Sequence, residues 1–172
     1  PISEALSCFA RHWQTGQSMP PTLLHQLARS RNFHVATDQM EQIGLATLDL
    51  VLHSAWDPET GWDPTNIALD IQRKFSAAPL PDDYALIARF VHLFKDPEGL
   101  AAAYYGYKWT EALEADAFSL FRERGVFDSN LGRRFRETIL EPGNTDDAMS
   151  LFVSFMGREL RPESLSKRQG LL

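Results

Sequence analysis

Tyr104-Tyr105-Gly106-Tyr107-Lys108-Trp109 runs straight into Thr110-Glu111-Ala112-Leu113-Glu114-Ala115-Asp116-Ala117-Phe118. This stretch belongs to a helical pattern extending from Leu100 to Arg124, where Gly125 supplies the residue type that closes helices in the left-handed conformation. On a helix, Tyr104 and Tyr107 stand three residues apart, so both phenols point to one side. Two hydroxyls presented together can hold a carbonyl oxygen while negative charge develops on it. The same spacing also describes an aromatic core stripe whose hydroxyls find ordinary partners. The pattern by itself leaves both open.

Helical periodicity continues in both directions. Ile2, Ala5, Leu6, Phe9, Ala10 and Trp13 recur at helical spacing, with Ser3 a candidate N-cap ahead of Glu4. Gln14-Thr15-Gly16 ends that helix, and Pro20-Pro21 opens a second one through Arg29, since proline suits a first turn. A third helix is predicted from Asn32 to His53, with Met40, Ile43, Leu48, Val51 and Leu52 on its apolar side. Two Asp-Pro pairs and Gly61 mark residues 54–65 as a loop, and a short helix follows from Asn66 to Phe75. Prolines interrupt the pattern again over residues 76–83; Tyr84 to Phe94 is apolar, helical or partly extended. Lys95-Asp96-Pro97-Glu98-Gly99 reads as a polar turn. Beyond Gly125, helices are expected over Ser129–Leu140, Thr145–Gly157 and Arg161–Gln169, with a break near residues 141–144. Thr145-Asp146-Asp147 offers the second of these a cap and first-turn acids. No repeat of 20–50 residues appears, which argues against a solenoid. The expectation is an all-α fold, with residues 1–172 forming a single helical region.

Composition narrows the function classes. The chain is 44% hydrophobic and 11% aromatic, ample for a packed core. A net charge of −6 argues against a nucleic-acid-binding surface, which needs clustered Lys and Arg. No apolar run of membrane-spanning length exists, so no membrane span is expected. Cys8 is the single cysteine, excluding an internal disulfide; among Ala5, Leu6 and Phe9 it reads as a buried thiol. Cysteine usage and the missing targeting signals point to the cytoplasm. The abrupt opening Pro1-Ile2-Ser3-Glu4, already at a helix start and without an initiator Met, suggests a fragment.

Autonomous catalytic signatures are lacking. No two of His12, His25, His34, His53 and His92 stand four apart, so there is no HExxH helix to bind zinc. CxxC, GxSxG and a phosphate-cradling glycine loop are also missing. Glu111, Glu114 and Asp116 read as solvated charge on the tyrosine helix. His92 stands out: it precedes a proline- and glycine-bearing turn and lies 12 residues before Tyr104. Beside Phe90, Leu93 and Phe94 it also suits a structural role, although a hydrogen-bonding role near neutral pH stays open.

The segment YYGYKWTEALEADAFSLFRERGVF resembles the C-terminal part of the thimet oligopeptidase family of zinc peptidases, which includes oligopeptidase A and peptidyl-dipeptidase. The resemblance continues through Gly132-Arg133-Arg134-Phe135-Arg136, Ile139-Leu140-Glu141-Pro142-Gly143, Phe155-Met156-Gly157-Arg158-Glu159 and Gly170-Leu171-Leu172. Upstream, Glu4-Ala5-Leu6, Arg11-His12-Trp13-Gln14-Thr15-Gly16, Ser30-Arg31-Asn32-Phe33 and Leu48 to His53 are also similar, so nearly the whole chain is covered.

The resemblance implies a largely helical enzyme with a deep channel for short, unstructured peptides. Its zinc would be bound by an HExxH helix and a downstream glutamate lying before Pro1, so this chain would form one wall of the cleft and bind no metal itself. By motif position Tyr107 corresponds to a transition-state tyrosine, Tyr104 to a neighbouring substrate-contacting one, and His92 to a substrate-binding histidine. The implied partners are short peptide substrates and the N-terminal, zinc-bearing portion of the same protein. One departure matters: the family has a Gly-Gly-Tyr loop after the histidine, whereas here the chain reads Phe94-Lys95-Asp96-Pro97-Glu98-Gly99-Leu100. Leu100 stands where another transition-state tyrosine is expected, and leucine cannot donate a hydrogen bond. The alternative is therefore a degenerate, non-catalytic peptide-binding or helical interaction module.

Overall fold

The computed structural model describes residues 2–96 and 98–172, with the side chain of Ile2 excepted. Pro1 of the expected helix start and Pro97 of the expected polar turn lie outside the described residues. The fold is all-α. Among the described residues eight α-helices are formed: α1 (Ile2–Phe9), α2 (Pro21–Ser30), α3 (Val35–Ser54), α4 (Pro64–Phe75), α5 (Gly106–Arg124), α6 (Ser129–Phe135), α7 (Ala148–Met156) and α8 (Glu163–Arg168). Among the described residues no strand forms; the single extended pairing is an isolated bridge between Arg11 and Ser18. The chain divides into two compact units, residues 34–110 and residues 1–33 with 111–172.

In the 34–110 unit, α3 packs on α4. Leu48 and Leu52 of α3 meet Ala68 and Ile71 of α4, and Ile87 and Leu93 complete the buried cluster. The helix α4 starts at Pro64, earlier than the sequence pattern suggests, because Asp63 caps it by accepting the Thr65 amide at 2.8 Å. Gly44, inside α3, lets the end of α4 come close: a Cβ there would sit 3.1 Å from Phe75 Cβ. Residues 84–94, read as helical or partly extended, form two single 3₁₀ turns, Leu86–Ala88 and Val91–Leu93. Ala85 and Phe90 precede these turns at ψ 53° and 64°, outside helical geometry, while buried Ile87 and Leu93 anchor the segment.

A larger correction concerns the long tyrosine helix. It begins at Gly106 rather than Leu100. Ala102 sits at φ +57°, a left-handed conformation that no α-helix can contain, so residues 100–105 form turns instead. Apolar periodicity does not register such a break when the residues on either side remain helix-compatible.

The unit of residues 1–33 and 111–172 is built on aromatic rings. Phe155 of α7 is fully buried; its ring centroid lies 5.2 Å from Phe135 and 6.2 Å from Phe121, with the Arg134 guanidinium 5.4 Å from its own centroid. Asp128 caps α6, taking the Asn130 and Leu131 amides, and Asp147 caps α7 through Ser150 N at 2.9 Å. The helix α7 ends at Gly157, at φ +73°, as a left-handed closing residue should. The predicted 129–140 helix loosens into a wider turn over Arg136–Leu140. In the N-terminal part α1 packs against α2. Ser3 lies inside α1, which already begins at Ile2, rather than capping it. Cys8, expected to be buried, is exposed, as is Phe9; a two-turn helix against one neighbour covers only a single stripe.

Candidate functional site

The 34–110 unit brings His92, Tyr104 and Tyr107 together from three different local structures. His92 comes from the 3₁₀ turn Val91–Leu93, Tyr104 from the turn before α5, and Tyr107 from its first turn. His92 Nε2 and Tyr107 Oη are 3.1 Å apart. The tyrosine rings meet edge to face at 5.1 Å, and the His92 ring lies 5.9 Å from Tyr104 and 6.0 Å from Tyr107. Phe90 closes the cluster with an edge contact to Tyr104 at 5.8 Å. Tyr107 is 49% exposed, so the residue keeps a surface open to solvent while His92 and Tyr104 pack against its ring.

The two phenols differ in what their protons can do. Tyr104 Oη donates to Gln42 Oε1 at 3.1 Å. Partial burial pushes the Tyr104 phenol above its ordinary value; the Gln42 bond opposes this, and nearby Tyr107 and Glu41 add to it. Tyr104 is therefore a neutral group whose proton already has an acceptor. Tyr107 is different. If His92 Nε2 carries its proton, it donates to Tyr107 Oη and leaves the phenolic proton free for another acceptor.

Sequence reasoning missed the group underneath. Asp49, fully buried on α3, accepts the Ala102 amide on Oδ1 at 3.1 Å and the Tyr104 amide on Oδ2 at 2.8 Å. His53 Nδ1 lies 2.8 Å from Asp49 Oδ1 and 3.0 Å from the Asp49 carbonyl; both are acceptors, so Nδ1 carries a proton. The available signal was an acid in the apolar run Leu48-Asp49-Leu50-Val51-Leu52, since a buried carboxylate requires donors. Leu100, where the resemblance calls for a tyrosine, is half-buried and brings no side-chain donor. Lys108, one residue beyond Tyr107, donates from Nζ to Gln39 Oε1 at 2.7 Å.

Of the three acids read as solvated charge, Glu111 and Glu114 bond Gln169 and Arg168. Asp116 overturns the reading: it is fully buried in the 1–33 and 111–172 unit. It accepts from Arg158 Nη1 and Nη2 at 2.6 and 2.8 Å, from the Arg161 amide at 2.8 Å and from Ser164 Oγ at 2.7 Å. Burial alone would raise its carboxyl, but these hydrogen bonds and the Arg158 charge outweigh it and hold the group below the usual carboxylate range.

Among the described residues no group of three His, Cys, Asp or Glu side chains is arranged to hold a metal ion. The donor set around His92 offers one imidazole and two phenols, which does not fit a zinc centre. No helix of the described residues is long and apolar enough to cross a membrane.

Comparison with known proteins finds relatives along nearly the whole chain. It is 38% identical over 176 residues to the probable cytosolic oligopeptidase A of Arabidopsis thaliana, covering 98% of this chain and 24% of that protein. It is 37% identical to the organellar oligopeptidase A, chloroplastic/mitochondrial, of the same plant, covering 98% and 22%. To oligopeptidase A of Escherichia coli strain K12 it is 32% identical, covering 98% and 24%. The chain thus spans about a quarter of the length of the curated relatives it matches. The sequence pattern of peptidase family M3 matches residues 3–171, virtually the whole chain, and the chain belongs to that family.

Proposed function

We propose that this chain forms the substrate-side wall of the active-site cleft in a zinc-dependent oligopeptidase that hydrolyses short peptides. The observation that carries the reading is the His92–Tyr107 hydrogen bond at 3.1 Å, with Tyr107 half exposed. In this reading Tyr107 donates its phenolic proton to the scissile carbonyl oxygen as charge builds on it. His92 donates from Nε2 to Tyr107 Oη, orients the phenol and sharpens it as a donor. Tyr104, its proton engaged by Gln42, contributes ring surface and an acceptor oxygen to the bound peptide. Zinc, which the family implies, is held in this proposal by residues outside the 172, and this chain's own side chains bind and orient the peptide. The partners are accordingly short peptides and the zinc-bearing portion of the same protein. The proposed compartment is the cytoplasm, supported by the single Cys8 and the cytosolic relative.

Tyr107→Phe in the full-length protein tests the assignment. Loss of one oxyanion donor should lower kcat by about 100- to 1000-fold while KM changes little. An unchanged kcat overturns the oxyanion role.

A second reading is favoured by Leu100, which supplies no donor where a transition-state tyrosine is expected. It holds that the parent binds peptides without cutting them. Calorimetric peptide binding by a zinc-loaded parent that shows no cleavage would support it, and measurable chelator-sensitive turnover would exclude it.

A further inference from the structure

We propose that Asp49 is the positioning residue for the tyrosine pair: its buried carboxylate clamps residues 102–104 and thereby sets the direction in which Tyr104 and Tyr107 point. The proposal rests on the oxyanion reading of Tyr107.

The geometry has three parts. First, Ala102 holds φ +57°, which a residue with a Cβ adopts only when its surroundings impose it. Second, the amides that flank this kink, Ala102 N and Tyr104 N, both donate to Asp49, one to each oxygen, at 3.1 and 2.8 Å. Third, Asp49 is itself fixed. Its side chain is wholly buried, its residue lies in the next-to-last turn of α3, and His53 Nδ1, four residues on, donates to it at 2.8 Å. His53 in turn meets Phe94, two residues beyond His92, at a tilt of 43° with ring centroids 5.6 Å apart. One carboxylate therefore connects a rigid helix to the backbone of Tyr104, and its histidine partner touches the segment that carries His92.

The chain then turns directly into α5. Gly106 N donates to Ala103 O at 2.9 Å and Tyr107 N to Tyr104 O at 3.2 Å, so the start of the helix is indexed to the clamped residues. Rotation of residues 102–104 would swing the Tyr107 hydroxyl away from His92 Nε2, and errors of an ångström at a reacting centre are costly. A carboxylate suits this task better than an amide. It accepts on both oxygens at once, whereas the Asn nitrogen would face an N–H donor.

The test is a double-mutant cycle in the full-length, metal-loaded protein with Asp49→Asn, Tyr107→Phe and the pair, normalised to folded enzyme by circular dichroism. Asp49→Asn should lower kcat by about 10- to 100-fold, and its effect should shrink to less than about threefold in the Tyr107→Phe background. A purely structural role would lower the melting temperature equally in both backgrounds and leave kcat per folded molecule unchanged. Independent, additive losses, or a wild-type kcat for Asp49→Asn beside a slow Tyr107→Phe, overturn the positioning role alone. A wild-type kcat for Tyr107→Phe overturns the oxyanion reading and the positioning role with it. If Asp49→Asn does not fold, amide exchange in the wild-type protein decides. Strong protection of the Tyr104 amide supports the clamp, and exchange at the unprotected rate overturns it.

Discussion

Replacing Asp116 with asparagine should release the segment that follows α7 without unfolding the helices around it. Asp116 is fully buried and accepts four hydrogen bonds, two from Arg158, one from the Arg161 amide and one from Ser164 Oγ. Hydrogen bonds to a charged group contribute about 1.5–3 kcal/mol each, but they share one carboxylate and do not add. Removing one partner of a buried ion pair costs about 3–5 kcal/mol. The Arg158 side chain is 27% exposed, so water can recover part of its charge, and the lower end, about 3 kcal/mol, is the expected loss. An asparagine keeps the volume but turns a nitrogen toward donors. The assay is hydrogen exchange of the amides of residues 158–161 and 163–169 in the full-length protein. A loss of about 3 kcal/mol in local opening energy corresponds to roughly 100-fold faster exchange, greatest at the Arg161 amide. Glu114→Gln is the control. Its partner Arg168 is bonded at the surface, with the Glu114 side chain 58% exposed, so the change should stay under about 1 kcal/mol. Exchange within about threefold of wild type in Asp116→Asn would refute the reasoning, since a buried carboxylate with four donors cannot be that weakly coupled. The acid dependence has a definite sign. The folded carboxyl lies below its unfolded value near 3.9, so its stabilisation is present above about pH 4 and is lost as pH falls through the lowered folded value.

Other changes probe the two units separately. Leu48→Ala, at a position with no solvent exposure between α3 and α4, should cost about 3 kcal/mol in denaturant unfolding, and a loss below about 1 kcal/mol would place the core of the 34–110 unit elsewhere. Gly157→Ala meets no neighbouring atom but forces a side chain to φ +73°; a loss of about 1 kcal/mol at the end of α7 is expected from thermal unfolding, and unchanged stability would contradict the left-handed closing residue.

Local chemistry made much of this molecule legible from its sequence. Proline at first turns, aspartate before Thr65, Asn130 and Ser150, and glycine after α5 and α7 act within one turn of their own position, so the helices stand near where periodicity puts them. The chain's family membership was legible too, because the tyrosine motif and the segments around it are linear text. Tertiary structure decided what depends on partners distant in sequence. Asp116 reads as solvated charge by itself, and only the return of Arg158, Arg161 and Ser164 makes it a buried hub. Asp49 is invisible as a clamp until the Ala102 and Tyr104 amides, more than 50 residues away, reach it. The tyrosines themselves show the division most clearly. Their three-residue spacing predicted a shared helix face, yet Ala102 breaks the helix before Tyr104. Their rings still meet at 5.1 Å because a buried carboxylate holds the turn, a long-range interaction that no local periodicity encodes.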